Sequence, residues 1–117
     1  MRIKSVLVAA TLAVAATGFV VLPNAGAAFA ASCPDNAWTF ADESVGNFFN
    51  GNFINIRTGP STACTSLGQG QASHVVQYDC WKSGENGTWT HLFDATTGIE
   101  GWSKDSLLVG NGSNFHC

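Results

Sequence analysis

His74-Val75-Val76-Gln77-Tyr78-Asp79-Cys80-Trp81 and Thr88-Trp89-Thr90-His91-Leu92-Phe93 stand on either side of a polar, glycine-containing break at 82–87. In the first run Val76, Tyr78 and Cys80 fall on one side, with Val75, Gln77 and Asp79 on the other. In the second, Trp89, His91 and Phe93 oppose Thr90 and Leu92. Apolar positions repeating every second residue in runs this short predict two β-strands joined as a hairpin. Downstream, 94–98 turns the chain, 99–103 is a short strand containing Trp102, and 104–109 closes with a turn of helix or a last edge strand. Upstream, Phe53-Ile54-Asn55-Ile56 alternates before the turn signal Gly59-Pro60-Ser61. Residues 62–67 read as a short strand or extended loop, with Gly68 and Gly70 as punctuation, and 31–46 as an N-terminal extension with at most one short strand at 38–41. No stretch has the length and period of a substantial helix. The pattern predicts one all-β domain, a small barrel or sandwich of short antiparallel strands.

The N-terminus reads as a leader. Arg2 and Lys4 precede an apolar run from Val6 to Leu22, followed by Pro23, Asn24 and Gly26 and then Ala28-Phe29-Ala30. This order predicts a signal peptide over 1–30, cut after Ala30, and no membrane insertion after cleavage. Of five cationic residues, Arg2 and Lys4 belong to the leader. Arg57, Lys82 and Lys104 remain against eight carboxylates, a formal charge of −5 for 31–117. Without a basic run the footprint of a nucleic-acid binder is missing, and so is attraction to an anionic bilayer. The charge favours cationic or neutral partners.

Cys33, Cys64, Cys80 and Cys117 all follow the leader, and four cysteines in an exported chain predict two disulfides. Three connectivities are possible. The position of Cys33 and Cys117 at the two ends favours Cys33–Cys117 with Cys64–Cys80, which would tie both termini of the domain together. Zinc is disfavoured because no closely spaced cysteine pair accompanies His74, His91 or His116. No cofactor is implied.

Asn55-Ile56-Arg57-Thr58-Gly59-Pro60-Ser61 resembles the opening motif of bacterial SH3-like (SH3b) domains. Leu67-Gly68-Gln69-Gly70, Gly87-Thr88-Trp89-Thr90-His91-Leu92, Gly98-Ile99-Glu100-Gly101-Trp102-Ser103 and the pair Leu107-Leu108 resemble later elements of that family, in its order and spacing. The resemblance covers 47–109, leaving 110–117 as a tail tied by Cys117, and implies an SH3-like barrel. It is similar in shape to the small stand-alone secreted forms of filamentous Gram-positive bacteria. For function it implies a cell-wall location and binding of peptidoglycan peptide stems or cross-bridges.

Residues 31–117 carry four Trp, one Tyr and six Phe, more rings than a small barrel readily buries. Tyr78, Trp81, Trp89, Phe93 and Trp102 are the candidate ligand contacts. Arg57, at a strand end, is placed to clamp a loop carboxylate or carbonyls. Catalysis finds little support: His91, Asp94 and Ser103 are the nearest thing to a triad, no nucleophile elbow accompanies them, and Glu85, Glu100 and Asp105 read as solvated turn carboxylates. His74 and His91 read as polar-face residues. The expectation is a secreted, extracellular or cell-wall-associated, monomeric and non-catalytic module for peptidoglycan or an extended peptide. An extracellular protein-interaction or inhibitor module, a structural surface protein and a cell-wall hydrolase are the alternatives.

Overall fold

The structure, a computed structural model, describes residues 32–117; the leader read at 1–30 lies outside them. Six strands, β1 (Val45–Gly46), β2 (Ile54–Arg57), β3 (Ser66–Gly70), β4 (Val76–Gly84), β5 (Gly87–Asp94) and β6 (Ile99–Lys104), precede two short 3-10 turns, Asp105–Leu107 and Val109–Asn111. The strands form one antiparallel sheet in the order β1-β4-β5-β6-β2-β3.

The central hairpin is longer than its sequence suggests. Lys82, Ser83 and Gly84 continue β4 and pair with Trp89, Thr88 and Gly87, leaving only Glu85 and Asn86 to turn the chain. Asn86 takes a left-handed φ of 56°, which its short polar side chain tolerates. Gly68 and Gly70 do not punctuate a strand but lie within β3. At Gly70 a side chain would run into the ring of Phe49, so glycine there lets that ring close over the sheet.

Paired positions share a face of a sheet. Tyr78, Leu92 and Gly101 are in register, as are Val76, Asp94 and Ile99. This inner face packs Phe49, Ile54, Ile56, Val76, Tyr78, Leu92 and Leu108 into the hydrophobic core, with Phe48 and Ile99 against it. Phe49 bridges to Leu108, so the segment before β2 and the 3-10 turns together cap the core.

The expected SH3-like barrel does not form. β1 and β3 are the two edges of an open sheet and do not pair with each other. Closure would need a free edge on β4, and that edge is taken. Val45 and Gly46 pair with Gln77 and Val76, and further along the tail donates Cys117 N–H to the Trp81 carbonyl while Trp81 N–H donates to the Phe115 carbonyl (both 2.8 Å).

The favoured disulfide pairing is also corrected. Cys33 joins Cys64 and Cys80 joins Cys117, so the start of the described segment is stapled to the loop between β2 and β3 and the tail to β4, and the two are not joined to each other. The reason is where the ends run. Asp35 N–H donates to the Thr58 carbonyl just beyond β2, whereas the tail lies along β4, on the far side of β5 and β6. Among the described residues no helix is long and apolar enough to cross a membrane.

Candidate functional site

The second face of the sheet carries Trp89, Phe93, Trp102 and Arg57, whereas Tyr78 lies on the inner face and Trp81 is in register with Thr90. Phe93 is in register with Gln77 and Glu100, His91 with Cys80 and Trp102, and Trp89 with Lys82 and Lys104. These are three parallel rows across the same strands. A bulge in β4 sets Asp79 and Cys80 together against His91, and Asp79 Oδ2 lies 2.7 Å from His91 Nδ1.

The N-terminal segment crosses this face as a strap over the middle row. Trp102 Nε1 donates to the Asp35 carbonyl (3.0 Å), and Lys82 Nζ reaches the Asp35 carboxylate at 3.1 and 3.2 Å. The Trp38 ring stacks on His91 with centroids 3.8 Å apart, and Phe40 meets Trp38 edge-on at 5.0 Å. Thr39 N–H donates to Cys80 Sγ (3.3 Å) and Asp42 N–H to the Asp79 carbonyl (2.6 Å), which delivers the chain to β1.

The strap covers the second face of the hairpin. Both faces of β5 are buried from Trp89 to Leu92, so His91 and Trp102 are interior residues. Tyr78, Trp89 and Trp102, three of the candidate contacts, are 3%, 3% and 0% exposed. Each spends its polar atom inside: Tyr78 Oη donates to the Val109 carbonyl (2.7 Å) and Trp89 Nε1 to the Glu85 carbonyl (2.9 Å), as Trp102 does to Asp35. Trp81 is half-buried and edge-on to His116 at 4.4 Å. Arg57 clamps loop carbonyls, donating through Nη1 to Cys64 (3.0 Å) and Thr62 (3.3 Å).

What remains open on this face is one row and the outer side of the strap. Val45 pairs with Gln77, so Val45, Gln77, Phe93 and Glu100 run side by side over β1, β4, β5 and β6. Phe93 is 37% exposed, Val45 60% and Phe40, on the strap, 63%, with Trp38 half-exposed beside it. Of the residues singled out from sequence only Phe93 belongs to this patch. Trp38, Phe40 and Val45 were missed because 31–46 reads as an extension; the aromatic pair at 38 and 40 within a small, polar segment was the signal.

Among the described residues all three Lys and Arg side chains are used in bonds within the domain. Lys82 binds Asp35 and lies over the Trp102 ring, Arg57 binds the loop, and Lys104 Nζ donates to the Glu85 and Asn86 carbonyls over the Trp89 ring. The carboxylates left exposed are Glu43 and Glu100, the latter beside Phe93. Glu85 accepts from Ser61 Oγ (2.7 Å) and from the N–H and Oγ1 of Thr62, and these bonds hold its carboxyl below the ordinary range. Asp105 is buried and not a solvated turn residue; burial pushes its carboxyl up against the opposing bonds from Thr88 and Thr90.

His91, Asp94 and Ser103 do not converge. His91 pairs with Asp79, and Asp94 with His74 at 2.7 Å. Ser103 is in register with Thr90, on the face opposite His91, and donates to the Asn55 carbonyl (2.8 Å). Among the described residues no group of three or more His, Cys, Asp or Glu side chains is placed to hold a metal ion.

No family model, curated protein or solved structure matches the chain. The SH3b and bacterial labels that the motifs suggested therefore have no support from relatives, and the open sheet conflicts with the barrel they imply.

Proposed function

We propose that this domain is a non-catalytic binding module that works outside the cell and takes cell-wall peptidoglycan, or another extended peptide-bearing ligand, on its outer aromatic face. The observation that carries the reading is the exposure of Phe93, Phe40 and Val45 on the same face as the half-exposed Trp38, next to Glu100 and Gln77. Exposed rings with polar neighbours offer flat faces to sugar rings and peptide planes. With Arg57, Lys82 and Lys104, the cations among the described residues, engaged in bonds within the domain, the charge presented there is a carboxylate, which suits the amino groups of peptide stems. Four cysteines closed as two disulfides support an oxidising compartment and hence export. The separation of His91 from Ser103 by the sheet supports binding without hydrolysis.

The test is sedimentation of the protein, lacking residues 1–30, with insoluble peptidoglycan at low and high salt. Retention at both is expected, falling at least about tenfold in a Phe40→Ser, Phe93→Ser double variant that keeps its melting temperature, because exposed aromatic contacts contribute on the order of 1–2 kcal/mol to binding. No retention at micromolar protein would sink the proposal, and release of soluble muropeptides would replace it with a hydrolase.

A further inference from the structure

The strap lies on the sheet as a bound peptide lies in a receptor. Asp35 supplies three recognition points: its N–H donates to Thr58, its carbonyl accepts from Trp102 Nε1, and its carboxylate meets Lys82. Three residues on, the Trp38 indole stacks at 11° to the His91 ring, which Asp79 holds from below the surface. Thr39 and Asp42 add main-chain donors to Cys80 and Asp79. The opposite side of the strap faces water, since Pro34, Asn36, Ala37, Thr39, Phe40 and Ala41 are all exposed. Its tether is Cys33–Cys64, with Cys33 at the surface.

Beneath the strap is a trough with a cation at one end, Lys82, and the Trp102 and His91 rings along it. Besides the disulfide, the strap is held by the Asp35 contacts, the Trp38 stack and the Thr39 and Asp42 amides, with no strand pairing of its own from 34 to 44. A segment outside the ladder is the kind of element that opens locally before the core does. The disulfide keeps it at high effective concentration over the trough, so it outcompetes a free peptide of equal intrinsic affinity. We infer that this trough is a peptide-docking site which the chain fills in cis. In trans it takes an extended segment of the same chemistry, with a carboxylate and, three residues later, a tryptophan or similar ring. This site is the covered middle row, distinct from the exposed Phe93 row, and does not depend on a peptidoglycan ligand.

The probe is a fluorescent peptide with the sequence of residues 32–42, carrying serine at the position of Cys33. The receptor is the disulfide-bonded protein with Asp35→Ala and Trp38→Ala, which weakens the cis strap and leaves the trough intact. Anisotropy should report saturable binding to this variant, at least about tenfold tighter than to the unmutated protein. Adding Lys82→Met, or replacing the peptide's Asp or Trp by Ala, should weaken it about tenfold or more. Equal binding to all forms, or none to a folded Asp35→Ala, Trp38→Ala variant, overturns the inference. Hydrogen exchange on the unmutated protein gives a second arm that needs no variant. The Asp35 and Asp42 amides should exchange at least about a hundredfold faster than those of the core strand β5, and exchange as slow as the core would overturn the inference equally.

Discussion

Asp42 and Asp105 are joined by one run of hydrogen bonds and are driven in opposite directions. Ser113 Oγ donates to Asp42 (2.8 Å), Ser113 N–H donates to Thr90 Oγ1 (2.9 Å), and that hydroxyl donates to Asp105 (2.6 Å). At Asp42 burial works upward, but bonds from Ser44 and Ser113 outweigh it and hold the carboxyl below its ordinary value. At Asp105 burial wins, and together with Asp42 this carboxylate adds to the burial that pushes the Tyr78 phenol up. A raised carboxyl favours folding only while protonated, so that contribution is present below its unfolded value and lost as pH rises through the folded one. Asp105→Asn should therefore gain in melting temperature relative to the parent as pH is taken from 3 to 7. Asp42→Asn should behave oppositely, losing most at pH 7 and least in acid, since a depressed carboxyl stabilises only above its unfolded value. Differential scanning calorimetry of both variants across that range checks the two signs. Gly112 belongs to the same run. It sits at φ 81° and ψ −164°, a region reserved for glycine, and a Cβ there would strike Asp105 and Thr90. Gly112→Ala should cost about 3 kcal/mol or more in urea unfolding.

At the scale of elements, the strap and the tail are what the sequence conceals. Period-2 alternation in 76–80 and 88–93 marks β4 and β5 because each strand presents one face to the core. Nothing comparable marks 32–42, which has no ladder of its own and takes its conformation from the face it crosses. The disulfide pairing is hidden for the same reason: lying at the two ends of the domain sequence does not bring Cys33 and Cys117 together, because the strap starts beside β2 and the tail runs along β4. Trp89 and Trp102 read as candidate ligand contacts, but the hairpin turn and the strap bury them. In the chain-entropy model each observed disulfide closes a loop worth about 4 kcal/mol. Removing Cys33–Cys64 by a double alanine substitution should lower stability by about 2–4 kcal/mol and leave β4 and β5 formed. Chemical denaturation with far-ultraviolet circular dichroism measures the first, and cross-strand amide contacts in a nuclear magnetic resonance spectrum report the second.

Over the whole molecule, the sheet stays open because its would-be closing edge is occupied, and two coverings finish the job a barrel would do. Phe49 and Leu108 cap the inner face; the strap shields the middle of the outer one. The count of aromatic residues correctly signalled more rings than one core would hold, but which of them reach solvent depended on the strap. Of the rings singled out from the sequence, Phe93 is exposed and Trp81 partly so, and the companions of Phe93, Phe40 and Trp38, come from outside the recognisable strands. The row Val45, Gln77, Phe93, Glu100, with Trp38 and Phe40 beside it, is the proposed binding face. The most direct measurement is titration of isotope-labelled protein with soluble peptidoglycan fragments, followed amide by amide. Shifts gathered at residues 38–40, 45, 77, 93 and 100, with the β3 edge and the 115–117 tail unmoved, are the predicted result. Saturable shifts centred on β3 or on Trp81 and His116, with that row silent, would contradict it.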